Sequence, residues 1–232
     1  METAAAEVKG SMMKGKSAKL MGCCLVLNML LVGCVASRQS RQEVWQLNSL
    51  ETISGYTPQV WGQPKVVKAE GKKAIQFDGK EDGLLLGVNP IAGADAFTIE
   101  VEFKPAAAYP ENVEQRFLHI QDPNNDKRRI LIELRLNDKG QWYPDLFMRT
   151  ENASLTLIDS TRTHPVNKWA SIRLAYKDGQ LKGYVNGEEE LSGEIEYLPI
   201  SSTAKTSIGT RMDKRSWFNG AIRVVKFSKT VE

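Results

Sequence analysis

Cysteine is nearly absent from this chain: Cys23, Cys24 and Cys34 are all it has, and none occurs in the 198 positions after Cys34. The body of the protein therefore has no disulfide, thiol nucleophile or cysteine-based zinc site. Charge of one sign is lacking too. The chain has 31 basic and 28 acidic residues; setting aside residues 1–33, with their four lysines and two glutamates, leaves 27 and 26. A nucleic-acid partner would call for a clustered basic excess, and none is present. No apolar run reaches the roughly 20 residues that a membrane-crossing helix needs. The run at residues 20–33 has 14, broken only by Asn28. A serine nucleophile elbow, zinc-ligand spacing and a phosphate-binding loop are also missing.

What is present begins with Lys9, Lys14, Lys16 and Lys19 ahead of that short apolar run, the layout of a secretory signal. The head is long, and Met12 or Met13 are alternative starts. The run closes with Leu31-Val32-Gly33-Cys34, which resembles the lipobox of bacterial lipoproteins. The resemblance implies that residues 1–33 are a helical signal peptide that is removed, taking Cys23 and Cys24 with it. It also implies that the Cys34 thiol carries lipid, which makes membrane lipid a partner. An ordinary signal peptide with a chance cysteine, or a buried apolar helix, is the alternative. Val35 stands where an aspartate would mark inner-membrane retention, which implies the outer membrane in a Gram-negative cell. Residues 34–43 then form the lipidated cysteine and a polar tether, whose nine residues after Cys34 reach at most about 30 Å.

From residue 44 to 232 the chain reads as one all-β domain, short strands between turn signals. Residues 97–103 alternate cleanly, with Phe97, Ile99, Val101 and Phe103 on one face and Thr98, Glu100 and Glu102 on the other. Strands are also expected over 74–78, 116–121, 130–136, 142–150, 169–176, 181–186, 206–209 and 221–227. Asn137 to Gly140, Asp178-Gly179 and Asn186-Gly187 supply hairpin turns.

Five blocks occur in order: Ala74-Ile75-Gln76-Phe77-Asp78-Gly79; Phe97 to Pro105; Lys168-Trp169 with Tyr176-Lys177-Asp178-Gly179; Gly183-Tyr184-Val185-Asn186-Gly187; and Ser207-Ile208-Gly209-Thr210 followed by Phe218-Asn219-Gly220-Ala221-Ile222. Together they resemble the LamG-like, concanavalin A-like jelly-roll family of lectins and glucanases. The resemblance implies two packed antiparallel sheets of a dozen or so strands, one often forming a concave face. Trp45, Phe77, Phe97, Phe103, Trp169 and Phe227 are expected to fill the space between the sheets. These blocks encode turns and packing, and fold alone does not fix function.

Glu100 and Glu102 share a strand face about 6–7 Å apart, a spacing that invites comparison with the paired carboxylates of glycosidases. The related β-glucanases carry Glu-x-Asp-x-x-Glu or a close variant. Here the strand offers Glu-Val-Glu-Phe-Lys with no third carboxylate, and an ordinary solvated pair is the favoured reading. A second constellation follows if residues 130–136 and 142–150 form a hairpin: Glu133, Arg135, Asp145 and Arg149 then share one sheet face, with Tyr143 and Phe147 beside them and His119 at the border. Carboxylates, guanidinium forks and aromatics suit the recognition of sugar hydroxyls or uronates. A self-satisfied surface ion network competes with that reading. Arg211, Arg215 and Trp217 precede the last strand, where the indole either stacks a sugar or covers the core. Asp122, Asn124 and Asp126 place oxygen donors at alternate positions, and the superfamily often binds calcium at loops. Calcium wants six to eight oxygens, and Lys127-Arg128-Arg129 follows at once, so a turn is favoured. His164 has no evident partner, and Asn152-Ala153-Ser154 matches a glycosylation acceptor that a bacterial lipoprotein would leave unused.

These readings favour a binding module, with glycan as the expected partner and no cofactor required. The rival is a glycoside hydrolase or polysaccharide lyase using Glu133 and Asp145, or Glu100 and Glu102. A structural or adhesion role without a small ligand is the third reading.

Overall fold

The structure, a computed structural model, describes residues 42–231. Cys34, the leader and most of the tether lie outside the described residues. Glu43, read as the end of the tether, already belongs to the first strand and pairs with Phe227.

Sixteen strands and no helix make up the described residues. In chain order they are β1 (Glu43–Gln46), β2 (Gln59–Trp61), β3 (Lys65–Ala69), β4 (Lys72–Asp78), β5 (Gly83–Leu86), β6 (Phe97–Pro105), β7 (Glu114–Asp122) and β8 (Asn125–Leu136). Then come β9 (Gln141–Arg149), β10 (Ser154–Ile158), β11 (His164–Pro165), β12 (Ala170–Lys177), β13 (Gln180–Val185), β14 (Glu188–Glu194), β15 (Lys205–Ile208) and β16 (Asn219–Ser228). They form two eight-stranded antiparallel sheets. Sheet I runs β14-β13-β12-β6-β16-β4-β3, with β1 added to β16. Sheet II runs β10-β9-β8-β7-β15-β5-β2, with β11 added to β9. This is the jelly-roll sandwich the sequence blocks implied.

Alternation builds the core. In β6 every second residue from Phe97 to Pro105 is buried, because successive side chains point to opposite faces of a strand. Phe103 from sheet I meets Phe117 and Trp142 from sheet II at ring-centroid distances of 4.6 and 5.1 Å. Phe218 closes the cluster, 5.3 Å from Phe117. Such pairs each add about 0.5–1.5 kcal/mol beyond their burial. Elsewhere the sheets approach closely enough that a Cβ on Gly183 of β13 would collide with Leu146 of β9.

Trp45, Phe77, Phe97, Phe103 and Phe227 are buried as expected. Trp169 is not. It is half-buried, with the Arg223 guanidinium 4.1 Å above its ring. Ala170, Ile172 and Leu174 take the inward positions of β12, which turns residue 169 to the outer face. Asp178-Gly179 and Asn186-Gly187 form the β12–β13 and β13–β14 hairpins with φ of 49° and 84°, and 50° and 92°. Positive φ at both positions is the signature of a type I′ turn.

The segment after residue 121 is a turn, as favoured: a tight hairpin joins β7 to β8 there. Strand β8 starts at Asn125, and Asp122 accepts the Asn124 N–H at 2.9 Å. Asp126 is exposed and approaches Arg129 at 3.8 Å. Among the described residues, no group of three or more His, Cys, Asp or Glu side chains converges as a metal site would require. His164 does have partners: its Nε2 lies 3.1 Å from the Glu190 carboxylate, and its ring packs on Trp142 at 4.6 Å.

Candidate functional site

The site lies on the outer face of sheet II, and an irregularity in β7 creates it. The register of β7 against β8 shifts between Arg116 and Leu118. This bulge lets Phe117 and Leu118 both point into the core, while Arg116 and His119 stay outside. Pairing then aligns four cross-strand rows on that outer face. The first holds Glu114, Arg135 and Tyr143, and the second Arg116, Glu133 and Asp145. The third holds Ser207, His119, Leu131 and Phe147, and the fourth Gln121, Arg129 and Arg149.

Residues 209–218, between β15 and β16, fold across these rows. The Arg116 N–H donates to the Ser216 carbonyl at 2.9 Å, and the Met212 N–H donates to His119 Nδ1 at 3.1 Å. An outer sheet face that would ordinarily be wet is thereby buried. His119 has no exposed surface, Asp145 is 2% exposed and Glu133 4% exposed.

Burial on this scale requires the charges to be paired. Arg116 donates from Nε to Glu133 at 2.7 Å and from Nη1 to Ser216 Oγ at 2.6 Å, and it also meets Glu114. Arg135 joins Asp145 and Glu114, each at 2.8 Å. Burial pushes the Glu133 carboxyl up to about 7, with Asp145 and Glu114 adding to the rise against the opposing pull of Arg116. His119 is held well below its usual value, chiefly by burial and then by Arg211 and Arg129. A neutral imidazole whose Nδ1 accepts a backbone N–H carries its proton on Nε2.

The structure brings His119, Glu133, Arg135, Asp145, Arg149 and Arg211 to this one face. Trp217 is set apart from them. It packs with Trp61 around Gly83, where a Cβ would fall 3.3 Å from the Trp217 ring and 3.1 Å from Trp61. Glu100 and Glu102 lie on the outer face of sheet I. Each is neutralised by a cation of β16, Lys226 at 2.8 Å for Glu100 and Arg223 for Glu102. Sequence reasoning missed Arg116, Arg129 and Glu114. Arg129 was available by carrying the β8 alternation two residues back from Leu131, whereas the bulge concealed Arg116.

Phe147 is half-buried with the Arg129 guanidinium 5.3 Å from its ring centroid. Phe147 and Arg149 also line a shallow cleft of about 250 Å³ completed by Thr150 to Ser154. A larger cleft of about 730 Å³ lies away from this face, among Glu43, Ser54, Tyr56, Asn89 and Lys229.

The two antiparallel sheets packed face to face define a jelly-roll domain of the concanavalin A-like type. The family model of the concanavalin A-like lectin/glucanases superfamily matches residues 78–231, and the chain belongs to that family. Among curated proteins, none matches it in sequence. Of the solved structures, domain 4 of AbnA, an extracellular arabinanase from Geobacillus stearothermophilus, in complex with arabinotriose, is similar at a TM-score of 0.59 and 16% identity, covering 80% of this chain and 90% of that one. The binding domain of botulinum neurotoxin DC is similar in two structures. One is in complex with SialylT (TM-score 0.56, 14% identity) and the other with rat synaptotagmin II (0.57, 15%). In both, the match covers 82% of this chain and 48% of the other, so this chain spans about half the neurotoxin domain. At these identities the likeness concerns the fold.

The raised Glu133 carboxyl sets a pH dependence. The folded protein keeps this proton up to about pH 7, whereas an unfolded chain releases it near 4.5. Its contribution to stability is therefore full at and below pH 4.5 and is lost as pH rises through 7. The shift corresponds to about 3 kcal/mol. His119 works the other way, because its depressed value costs stability as pH falls below 6.5. Chemical denaturation of wild type and Glu133→Gln from pH 4.5 to 8 separates the two. The variant is expected to gain on wild type from pH 4.5 to about 7 and to hold that gain to pH 8, and parallel curves throughout would contradict the assignment.

Proposed function

We propose that the protein is an exported lipoprotein whose jelly-roll domain binds glycan on the outer face of sheet II. The observation that carries this reading is the half-buried Phe147, stacked by Arg129 and bordering the shallow cleft beside Arg149. An aromatic plane next to fixed guanidinium donors matches a saccharide, which offers an apolar ring face and a rim of hydroxyls. Membership of a lectin and glucanase family supports the reading, as does the fold shared with a domain seen in complex with arabinotriose. The lipobox-like Leu31-Val32-Gly33-Cys34 supplies the anchor, with the mature chain starting at Cys34 and residues 35–41 leading to the domain. Outer-membrane placement follows from Val35 if the cell is Gram-negative.

One observation favours an enzyme as the second reading. Glu133 and Asp145 are directly paired across β8 and β9, and Glu133 titrates near the pH where a general acid or base works. Against it, both carboxylates are held by arginines and almost wholly covered. A binding face without turnover is the better match.

A glycan panel probed with the purified full-length protein tests the binding reading. Binding to at least one saccharide class is expected, and Phe147→Ala should weaken it ten-fold or more, about 1.4 kcal/mol. Unchanged affinity in that variant, or no binding anywhere on the panel, contradicts the proposal. Saccharide cleavage that disappears in Glu133→Gln would establish the enzyme instead.

Anchoring is checked by cell fractionation. The wild-type chain is expected in the membrane fraction and Cys34→Ser in the soluble fraction. Membrane retention of the variant contradicts the lipid anchor.

A further inference from the structure

The buried polar face divides into two halves with different charge balance. In one, Arg116 and Arg135 are matched by Glu114, Glu133 and Asp145. The other half gathers Arg129, Arg149, Arg211 and Arg215 near His119, and among the described residues its only carboxylates in salt-bridge range are Asp126 and Asp213. Asp126 is 73% exposed and reaches Arg129 at 3.8 Å. Asp213 is 46% exposed and divides itself between Arg211 at 3.4 Å and Arg215 at 2.8 Å. Arg149 forms no salt bridge among the described residues. Exposed partners of this kind are screened and contribute little, so this half carries an uncompensated positive charge.

Its hydrogen bonding is equally one-sided. His119 Nε2 and Arg129 Nε are buried with no acceptor, and Arg211 Nε has only the Asp213 carboxylate, 3.4 Å away and outside hydrogen-bond geometry. The Met212 N–H occupies Nδ1, which makes Nε2 of the neutral ring a donor. Arg211 directly precedes Met212, whose N–H binds His119, and Arg129 stands in the next cross-strand row, so these donors share one neighbourhood. A buried donor left unpaired has lost its water and gained nothing in exchange. Two such donors beside the weakly served Arg211, ringed by cations, form a cradle for an acceptor that carries negative charge.

We infer that Arg129, Arg149 and Arg211, with His119 beneath them, form an anion subsite that takes the carboxylate or sulfate of an acidic saccharide. The saccharide part rests on the glycan reading above, and the anion part stands on the orphan donors and the charge imbalance. Phe147 sits in the row between this cluster and the neutral half. A sugar ring stacked on Phe147 would therefore lay its acid group toward Arg129 and Arg149, which fork-like guanidinium groups bind in bidentate fashion.

The test uses isothermal titration calorimetry of the purified full-length protein. The probes are a uronate oligosaccharide with its neutral methyl ester, a sulfated oligosaccharide with its desulfated form, and inorganic sulfate alone. At least one acidic form should bind ten-fold or more tightly than its neutral twin, with a gap that shrinks between 50 and 200 mM salt. Arg129→Gln and Arg149→Gln should each remove most of that gap, lowering affinity for the acidic form far more than for its neutral twin. Lys226→Gln, on the other sheet, should leave both as they are. Equal binding of acidic and neutral twins would overturn the subsite and leave the glycan reading intact. If no saccharide binds, but sulfate raises the melting temperature of wild type and not of Arg149→Gln, the subsite stands and the glycan reading falls. Sulfate and saccharides both without effect would mean that the donors are served by water, which overturns the inference.

Discussion

The Arg116 guanidinium is the interaction on which this face depends. It joins two strand residues, Glu114 and Glu133, to Ser216 in the covering loop, and its own backbone N–H fixes the same loop residue. Without it, Glu133 would be a buried carboxyl without its cation, and residues 209–218 would lose their grip on β7. Breaking a buried ion pair by removing one partner costs about 3–5 kcal/mol when the survivor stays charged, so here the loss falls at and above pH 7, where Glu133 is ionised. The β7 bulge makes the arrangement possible, since it puts Arg116 and His119 on the face that the loop covers and leaves Phe117 and Leu118 to the core.

That division of labour separates stability from recognition. The inward half of sheet II, with Phe117, Ile132, Leu134, Trp142 and Leu146, meets the inward half of sheet I and holds the sandwich together. The outward half is polar and builds its own second layer beneath the loop. Leu131 shows the consequence: it is 2% exposed although it sits on the outer side, between His119 and Phe147. Arg116 and Arg135 close their charges among themselves, whereas the arginines beyond His119 do not. Buried N–H donors without acceptors beside uncompensated charge, as at His119 Nε2 and Arg129 Nε, point to a role beyond stability.

Much of the fold was legible in the sequence because it rests on local rules. The alternation in residues 97–103 and the turn pairs Asp178-Gly179 and Asn186-Gly187 point directly to the β6 face and the two hairpins. The β8–β9 register that sets Glu133 opposite Asp145 follows from the turn at residues 137–140. What was not legible is non-local. Trp169 looked like a core residue by type, but Ala170 on the neighbouring inward position decides its face. A bulge displaces Arg116 from simple alternation, and no pattern announces it. Lys127-Arg128-Arg129 looked like a turn flank, yet β8 runs on through it and carries Arg129 to the site. Short edge strands such as β2 and β3 escape notice because three to five half-exposed residues leave little periodic signal.

The central claim is that His119 lies under the loop as a neutral donor waiting for an acceptor. Nitrogen-15 NMR of its imidazole from pH 5 to 8 tests this most directly. The account predicts a ring that stays neutral throughout, with the proton on Nε2 in the free protein. A ring that titrates near 6.5, or one protonated on Nδ1, would mean that the face is open to water and that the donor cradle does not exist.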